Sequence, residues 1–474
     1  MFGKLRHFPR LIPAALALAA AGACSEQPPD VPPALNQLYF PTGIALTPEV
    51  PGQEQLLLVV SSNLDLRFRS GVLHAFDRAT IDQLADTATA PNCPPEAPGC
   101  SPGRAPDLSS ALRGAVEIGS FGGDVAVAQL PAGGLRAFVP VRAEGDVVAV
   151  DVDPGAGTSQ LRCAHAGAPG CIGVPFPRLD PFGVVTAQGN VYVSHIGRDT
   201  NDSPEAVVGA AFADAPMWSG GAGAFSVIGL GEHAVGGISA RCGAGEPATC
   251  TLFASGRSLE DGFNPVYLFD FRAGELRSGP VFSRNVFSQQ RGLDTRGIAA
   301  SSAGDRVFVA SRFPAGLATI DVSRISTAPT PGCVVPPGAS LPGGACPEGP
   351  VPLDGEREPR FVTADLVPSP AAPNAVFVLP RTLSDGTSSD LVILTVEQGL
   401  AFFDTRTGTF AGAVEQVGSA PAALAAAARP DGSVRLYVPS FGRGTLSVVD
   451  IPDPLRPGNA RVVAILGRQQ EGAF

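Results

Sequence analysis

Lysine is all but missing from this chain. Lys4 is the single example in 474 residues, and every later cation apart from histidine is arginine. Chemistry that needs an amine, such as a Schiff base or the lysine of a phosphate-binding loop, is therefore excluded beyond residue 4. Histidine is scarce too. Four follow residue 23 (His74, His165, His195 and His233), and none stands in a Cys-x-x-Cys-His haem motif or a cluster suited to copper or zinc. Charged residues make up 16% of the chain against 44% apolar ones, a balance that favours a buried interior over disorder. There is no Gly-x-Ser-x-Gly nucleophile elbow. The apolar stretch from Leu11 to Ala20 is too short to span a bilayer.

What is present begins with a targeting segment. Lys4, Arg6 and Arg10 precede the apolar stretch, and the cut site reads "AAGACS". It resembles the bacterial lipobox, with Cys24 as the lipidated residue after removal of a signal peptide spanning 1–23. "AGA" before the cysteine also suits an ordinary signal peptidase, which leaves a secreted protein with a free Cys24 as the alternative. Cysteine arithmetic favours lipid. Nine cysteines leave eight after Cys24, in four close pairs: Cys93 with Cys100, Cys163 with Cys171, Cys242 with Cys250, and Cys333 with Cys346. Each pair brackets a Gly/Pro-rich loop, as expected of local disulfides formed in an oxidising compartment. In the chain-entropy description each closure contributes about 2.5–3 kcal/mol. The spacings do not suit zinc, and no metal or other cofactor is expected.

Residues 24–38, including "SEQPPDVPPALNQ", read as a Pro-rich tether. Ser25 after the lipidated position resembles the sorting signal of outer-membrane lipoproteins. Removing 1–23 takes the formal charge from −11 to about −14, which argues against nucleic-acid partners and against binding anionic headgroups by overall charge. The membrane is expected to be reached through the anchor alone.

From residue 39 to 468 a unit recurs about seven times, followed by a tail at 469–474. Its first strands start at "PTGIAL" (Pro41), "GDVAVAQL" (Gly123), "PFGVVTAQ" (Pro181), "VGGISA" (Val235), "TRGIAAS" (Thr295), "PRFVTADL" (Pro359) and "APAALAAAA" (Ala420). Second strands follow as "LLLVVSSN", "RAFVPVRA", "NVYVSHIG", "TLFASGRS", "RVFVASRF", "AVFVLPRT" and "RLYVPSFG". Third strands end in Asp77, Asp151, Asp270, Asp321, Asp404 and Asp450, and in the third unit the strand reads "AFSVIGLG". A strand-closing Asp holds amides of the following turn. Such units bury both faces only by stacking, so the expected class is all-β: a seven-bladed β-propeller with disulfide-stapled loop insertions. "ALNQLYF" is expected to pair with the final strand "RVVAILG" and close the ring. The pattern resembles the YVTN-type, lactonase-like propeller family, whose Tyr-Val-x-Asn survives in part as "LYVPS", "VYVSH" and "VFVAS"; this implies a fold more than a reaction.

An arginine follows the second strand in each unit: Arg67, Arg142, Arg198, Arg257, Arg312, Arg381 and Arg443. On one face these seven would form a rim able to bind an anionic ligand, or else pair with local acids. His195, near Arg198 and Asp199, is the one candidate catalyst, if it faces the axis. The acidic loops "GRDTNDSPE" and "SDGTSSD" lack calcium-loop spacing. The expectation is a lipid-anchored envelope scaffold, non-enzymatic, binding a protein, glycan or anionic ligand. The alternative is a lactonase-like hydrolase using the axial pocket.

Overall fold

Short strands centred on Val, Leu and Phe are bounded by Gly- and Pro-rich turns, and each set of four pairs antiparallel before the next begins. The computed structural model describes residues 30–88, 106–130, 133–155, 160–165, 170–175, 180–187, 189–196, 205–211, 225–229, 234–242, 249–257, 266–272, 275–283, 294–322 and 366–467. Blade 1 comprises β1 (Pro41–Leu46), β2 (Leu56–Ser61), β3 (Gly71–Asp77) and β4 (Leu112–Ile118). Blade 2 has β5 (Ala126–Gln129), β6 (Leu135–Val141), β7 (Asp146–Val152) and an outer strand split into β8 (Leu161–Cys163) and β9 (Val174–Pro175). Blade 3 has β10 (Pro181–Ala187), β11 (Asn190–His195), β12 (Glu205–Ala211) and β13 (Phe225–Gly229). Blade 4 has β14 (Ala234–Cys242), β15 (Thr249–Arg257), β16 (Val266–Arg272) and β17 (Glu275–Ser283). Blade 5 has β18 (Thr295–Ala300), β19 (Arg306–Arg312), β20 (Ala315–Asp321) and β21 (Leu366–Pro368). Blade 6 has β22 (Pro373–Thr382), β23 (Ser388–Val396), β24 (Gly399–Asp404) and β25 (Thr409–Val414). Blade 7 has β26 (Ala425–Ala428), β27 (Val434–Ser440), β28 (Thr445–Ile451) and β29 (Arg461–Leu466). The chain is an all-β, seven-bladed propeller.

Middle strands such as β2, β6, β27 and β28 are buried along their whole length, because each sheet is covered on both sides by its neighbours. Polar groups on the inner and second strands stitch one blade to the next. Thr42 Oγ1 donates to Gly122 O and Gly123 O at 2.7 and 3.0 Å, Ser194 Oγ to Gly236 O at 3.2 Å, and Asn374 Nδ2 to Pro421 O at 3.2 Å. Glycines near the axis are required by this convergence. A β-carbon at Gly43 would sit 2.7 Å from Gly123 O, at Gly123 2.6 Å from Phe182 O, and at Gly297 2.6 Å from the Val376 nitrogen. Each glycine lets its inner strand lie against the backbone of the next.

The ring closes differently from expectation. "ALNQLYF" forms no strand, and β29 pairs only with β28 of its own blade. Blades 1 and 7 are instead joined by a shared apolar cluster in which Leu38, Ile44, Phe76 and Ile81 meet Tyr437, Leu446, Val448 and Leu466. Helix α1 (Arg78–Thr87) caps that seam. Asp77 starts it by accepting the amides of Ala79 and Thr80, and Ile81 and Ala85 form its buried side. From blade 7, fully buried Arg435 reaches Asp450 at 2.7 and 2.9 Å and the helix residues Asp82 and Asp86 at 3.2 and 2.6 Å.

Two units differ from the sequence reading. In blade 6 "AVFVLPRT" belongs to the innermost strand β22, not to a second strand, and "DLVILTVEQGLAFFD" supplies β23 and β24. The inner position of blade 6 expected for "PRFVTADL" is taken by β22; its Leu366 opens β21, the outer strand of blade 5, and residues 359–365 lie outside the described ones. In blade 3 the third strand is "EAVVGAA", while "FSVIG" is the outer strand.

Candidate functional site

The loops joining second to third strands share one end of the propeller with the connections between blades, and four of the predicted arginines fall there with described positions. The residue before an inner strand is left-handed at Phe40, Phe121, Asp180 and Ala420, with φ of 45–61°. Its carbonyl receives an amide from the same blade's second-to-third loop: Ser62 to Phe40 at 3.2 Å, Arg142 to Phe121 at 3.2 Å, Ile196 to Asp180 at 3.1 Å. Backbone bonding thus fixes where these loops stand.

The side chains then take local partners. Arg142 donates to both oxygens of Asp180 in the next blade, and its guanidinium lies 6.0 Å from the Phe182 ring centroid. Arg67 pairs with Asp65 and lies 5.8 Å from the Phe40 ring. Arg312 lies 3.8 Å from Asp294, which also holds Arg296 at 2.9 Å. Arg443 is half-buried, with its amide on Ser440 O and no carboxylate partner among the described residues. Arg198 lies outside the described residues, and of Arg257 the structure describes the backbone at the end of β15, opposite Ala234.

Arg381 is not on this end. As the penultimate residue of inner strand β22 it sits at the opposite end, donating to Asp404 at 2.6 Å, to Ser389 Oγ and Asp390 O at 3.1 Å, and to Pro454 O at 2.9 Å. There it joins a motif that sequence reading missed. The strand-closing Asp of several blades holds an arginine: Asp77 with Arg113 at 3.1 Å, Asp151 with Arg136 at 2.7 Å, Asp404 with Arg381, Asp450 with Arg435. The recurring Asp was visible; its partners come from different strands, so no fixed spacing marked them. Asp77 and Asp404 also accept turn amides.

His195 ends β11 fully buried, with its backbone opposite Pro181, the position held by Ser61, Ser311 and Ser440 in other blades. His74 is also buried, 3.1 Å from Ser61 Oγ and stacked on Phe76, and burial pushes its imidazole down to about 3. The residue that sequence reading passed over is Asp124. It stands where Gly43, Gly183 and Gly297 stand in their blades, beside the axis, solvent-exposed but hemmed in by converging inner strands. Crowding by those strands limits the hydration of its carboxyl and pushes it up to about 6, and the carboxyl accepts the Val125 amide at 2.8 Å.

Two clefts flank the blade 1–blade 2 seam. One, of about 480 Å³ at the Arg381 end, includes Gln53, Gln129, Asp153, Gln160 and Arg162. The other, of about 210 Å³ at the Arg142 end, includes Arg69, Glu117, Glu144, Asp146 and Ile172. There the two hydrogen bonds from Arg69 hold the Glu117 carboxyl below its usual range, whereas burial raises Glu144 and Asp146. Of the acidic loops, Asp385 accepts the Thr387 amide and hydroxyl, and Asp390 receives Ser302 of blade 5 at 2.6 and 3.0 Å. "GRDTNDSPE" lies almost wholly outside the described residues.

Two of the four predicted disulfides are formed among the described residues. Cys163–Cys171 spans the break between β8 and β9, and Cys242–Cys250 locks the β14–β15 hairpin at facing positions. The other two predicted pairs, Cys93 with Cys100 and Cys333 with Cys346, lie outside the described residues. Cys24 lies outside the described residues as well.

No protein-family model and no curated protein matches the sequence. Solved structures with similar folds include a candidate 6-phosphogluconolactonase from Bacteroides uniformis (10% identity, 88% of this chain and 98% of the other, TM-score 0.42). They also include a puromycin hydrolase mutant complexed with PGG (14%, 91% and 54%, 0.41) and the Dos1 propeller (10%, 81% and 72%, 0.40). Identities and TM-scores this low bring no activity with them; the propeller assignment stands on the seven sheets.

Proposed function

We propose that this chain is a lipid-anchored propeller of the bacterial envelope that presents rigid loops to a binding partner, a protein or glycan, without catalysing a reaction. The observation that carries this reading is how the polar groups of the loop ends are used. Arg67, Arg142, Arg381 and Arg435 are committed to carboxylates of this chain, Arg312 stands 3.8 Å from Asp294, and His195 is sealed from solvent. Such pairing holds loop geometry, which lowers the ordering cost of binding. The two disulfides support an oxidising compartment, and the repeat pattern supports kinship with the YVTN-type, lactonase-like propellers. Crosslinking in intact envelopes followed by isolation of the full chain tests the scaffold role. One partner co-isolating in stoichiometric yield is expected; recovery of the chain alone at every crosslinker dose contradicts it.

A second reading, a lactonase-like hydrolase, is favoured by one feature. Asp124, with a carboxyl pushed up to about 6 near the axis, is poised to accept a proton from water at neutral pH, on the same end as Arg142 and Arg312. Lactone turnover lost in Asp124→Asn supports it; no turnover by the parent chain removes it.

A further inference from the structure

The described chain starts on the arginine-bearing end. Asp30 lies 3.8 Å from Arg69, and the Arg69 amide donates to Val31 O at 2.9 Å, so the tether is pinned to the loop between β2 and β3. Leu38, Tyr39 and Phe40 are then buried as the chain enters β1. Cys24 is six residues before Asp30 and, even fully extended, cannot stand more than about 20 Å from it. The same end gathers the exposed apolar side chains. Of the seven large hydrophobics exposed among the described residues, Val31, Leu64, Ile172 and Phe313 lie here and Leu35 lies just along the tether; Val50 and Leu455 lie at the opposite end. Leu64 and Phe313 sit at loop tips, and Ile172 projects from the stapled segment beside β9.

We infer that this end rests on the lipid bilayer, with Leu64, Ile172 and Phe313 dipping into the headgroup region, while the opposite end, with helix α1 and the larger cleft, faces away. The inference rests on the lipid-anchor reading of Cys24, adds an orientation to it, and departs from the expectation that the anchor alone meets the membrane, because of the exposed Leu64, Ile172 and Phe313. The pinned tether and its short reach set which end meets the surface. Exposed apolar tips with arginines close by suit the interface, where guanidiniums lie at headgroup level and apolar groups just below. Charge does not drive it. The arginines here are largely paired with carboxylates, so binding should be insensitive to salt. A membrane-facing arginine end leaves to the partner the α1 end, where Arg381 and Arg435 hold the rigid geometry that the proposed scaffold role uses.

The test uses the full chain purified from membranes and reconstituted in vesicles of phosphatidylethanolamine and phosphatidylglycerol with brominated acyl chains. Phe313→Trp, Leu64→Trp and Leu455→Trp are compared with the parent, which contains one tryptophan. The expected result is loss of most of the added emission for Phe313→Trp and Leu64→Trp, with the Leu455→Trp emission retained. Equal quenching of all three, quenching of Leu455→Trp alone, or quenching of none on vesicle-bound protein overturns the orientation. That last result would return the end to a protein partner. Mass spectrometry of the Cys24 peptide separates the two ideas: an unacylated Cys24 removes anchor and orientation together, whereas an acylated Cys24 with the wrong quenching pattern removes only the orientation.

Discussion

Arg435→Ala is the sharpest perturbation of the ring. The side chain is wholly buried and bridges Asp450 of its own blade to Asp82 and Asp86 on helix α1, so it links the last blade to the first. Burial works against its charge, but the carboxylates of Asp450 and Asp86 outweigh this and hold the guanidinium protonated. Removing one partner of a buried ion pair costs about 3–5 kcal/mol because the other is left uncompensated. Asp86 is half-exposed and Asp450 keeps Arg429 at 3.3 Å, so the low end, about 3 kcal/mol, is expected. With an unfolding entropy of about 2.1 cal/mol/K per residue over roughly 430 residues, this lowers Tm by only about 3 °C. Hydrogen exchange is the better assay. Faster exchange should concentrate in α1, β1 and β26, with blades 3 to 5 unchanged. Arg435→Met combined with Asp450→Leu should recover at least about 1 kcal/mol relative to Arg435→Ala, because an apolar pair leaves one fewer buried charge. Uniform protection in Arg435→Ala, or faster exchange spread evenly over all blades, would refute the clasp.

Four further outcomes follow from the same geometry. Gly123→Ala and Gly297→Ala should each cost about 1–3 kcal/mol by overpacking in denaturant titration, because backbone atoms of the next blade lie 2.6 Å from the added carbon. Gly133→Ala, with φ +87° and no atom within 4 Å, should cost about 1 kcal/mol through backbone strain alone. His74 is held neutral when folded, with its imidazole pushed down to about 3. Its contribution is therefore complete above about pH 6.5, the unfolded value, and is lost as pH falls toward 3. His74→Gln should flatten acid denaturation in that window; an unchanged profile contradicts the burial argument. Replacing Cys163 and Cys171 by Ser should cost about 2.5 kcal/mol from loop-closure entropy, measured by unfolding without reductant.

Most of the ring was legible because repeated units carry repeated constraints. Gly43, Gly237 and Gly297 mark inner strands since no side chain fits between neighbouring backbones, and the paired cysteines mark loops since short closures need nearby partners. Where the constraint was met by another residue, the mark vanished. Blade 6 has Ala375 at the glycine position, so "PRFVTADL" mimics the motif better than the true strand does. Blade 3 has no Asp closing β12, so in sequence its outer strand passes for the third. Helix α1 did leave a signal: Asp77 as cap, then Ile81 and Ala85 four apart, hidden because Asp77 also ends a strand. Asp124 was missed for the opposite reason. A lone carboxylate in "GGDVAVA" carries no local mark of the crowding that raises its pKa once the ring is closed.

The proposed anchor is the point on which the proposed location, orientation and scaffold role all turn. The direct measurement is the mass of the N-terminal peptide of the chain isolated from its native envelope. A peptide beginning at Cys24 and carrying diacylglycerol is predicted, with the chain released from membranes by Cys24→Ser. A peptide whose Cys24 bears a free thiol, or an uncleaved N-terminus, would contradict the central claim.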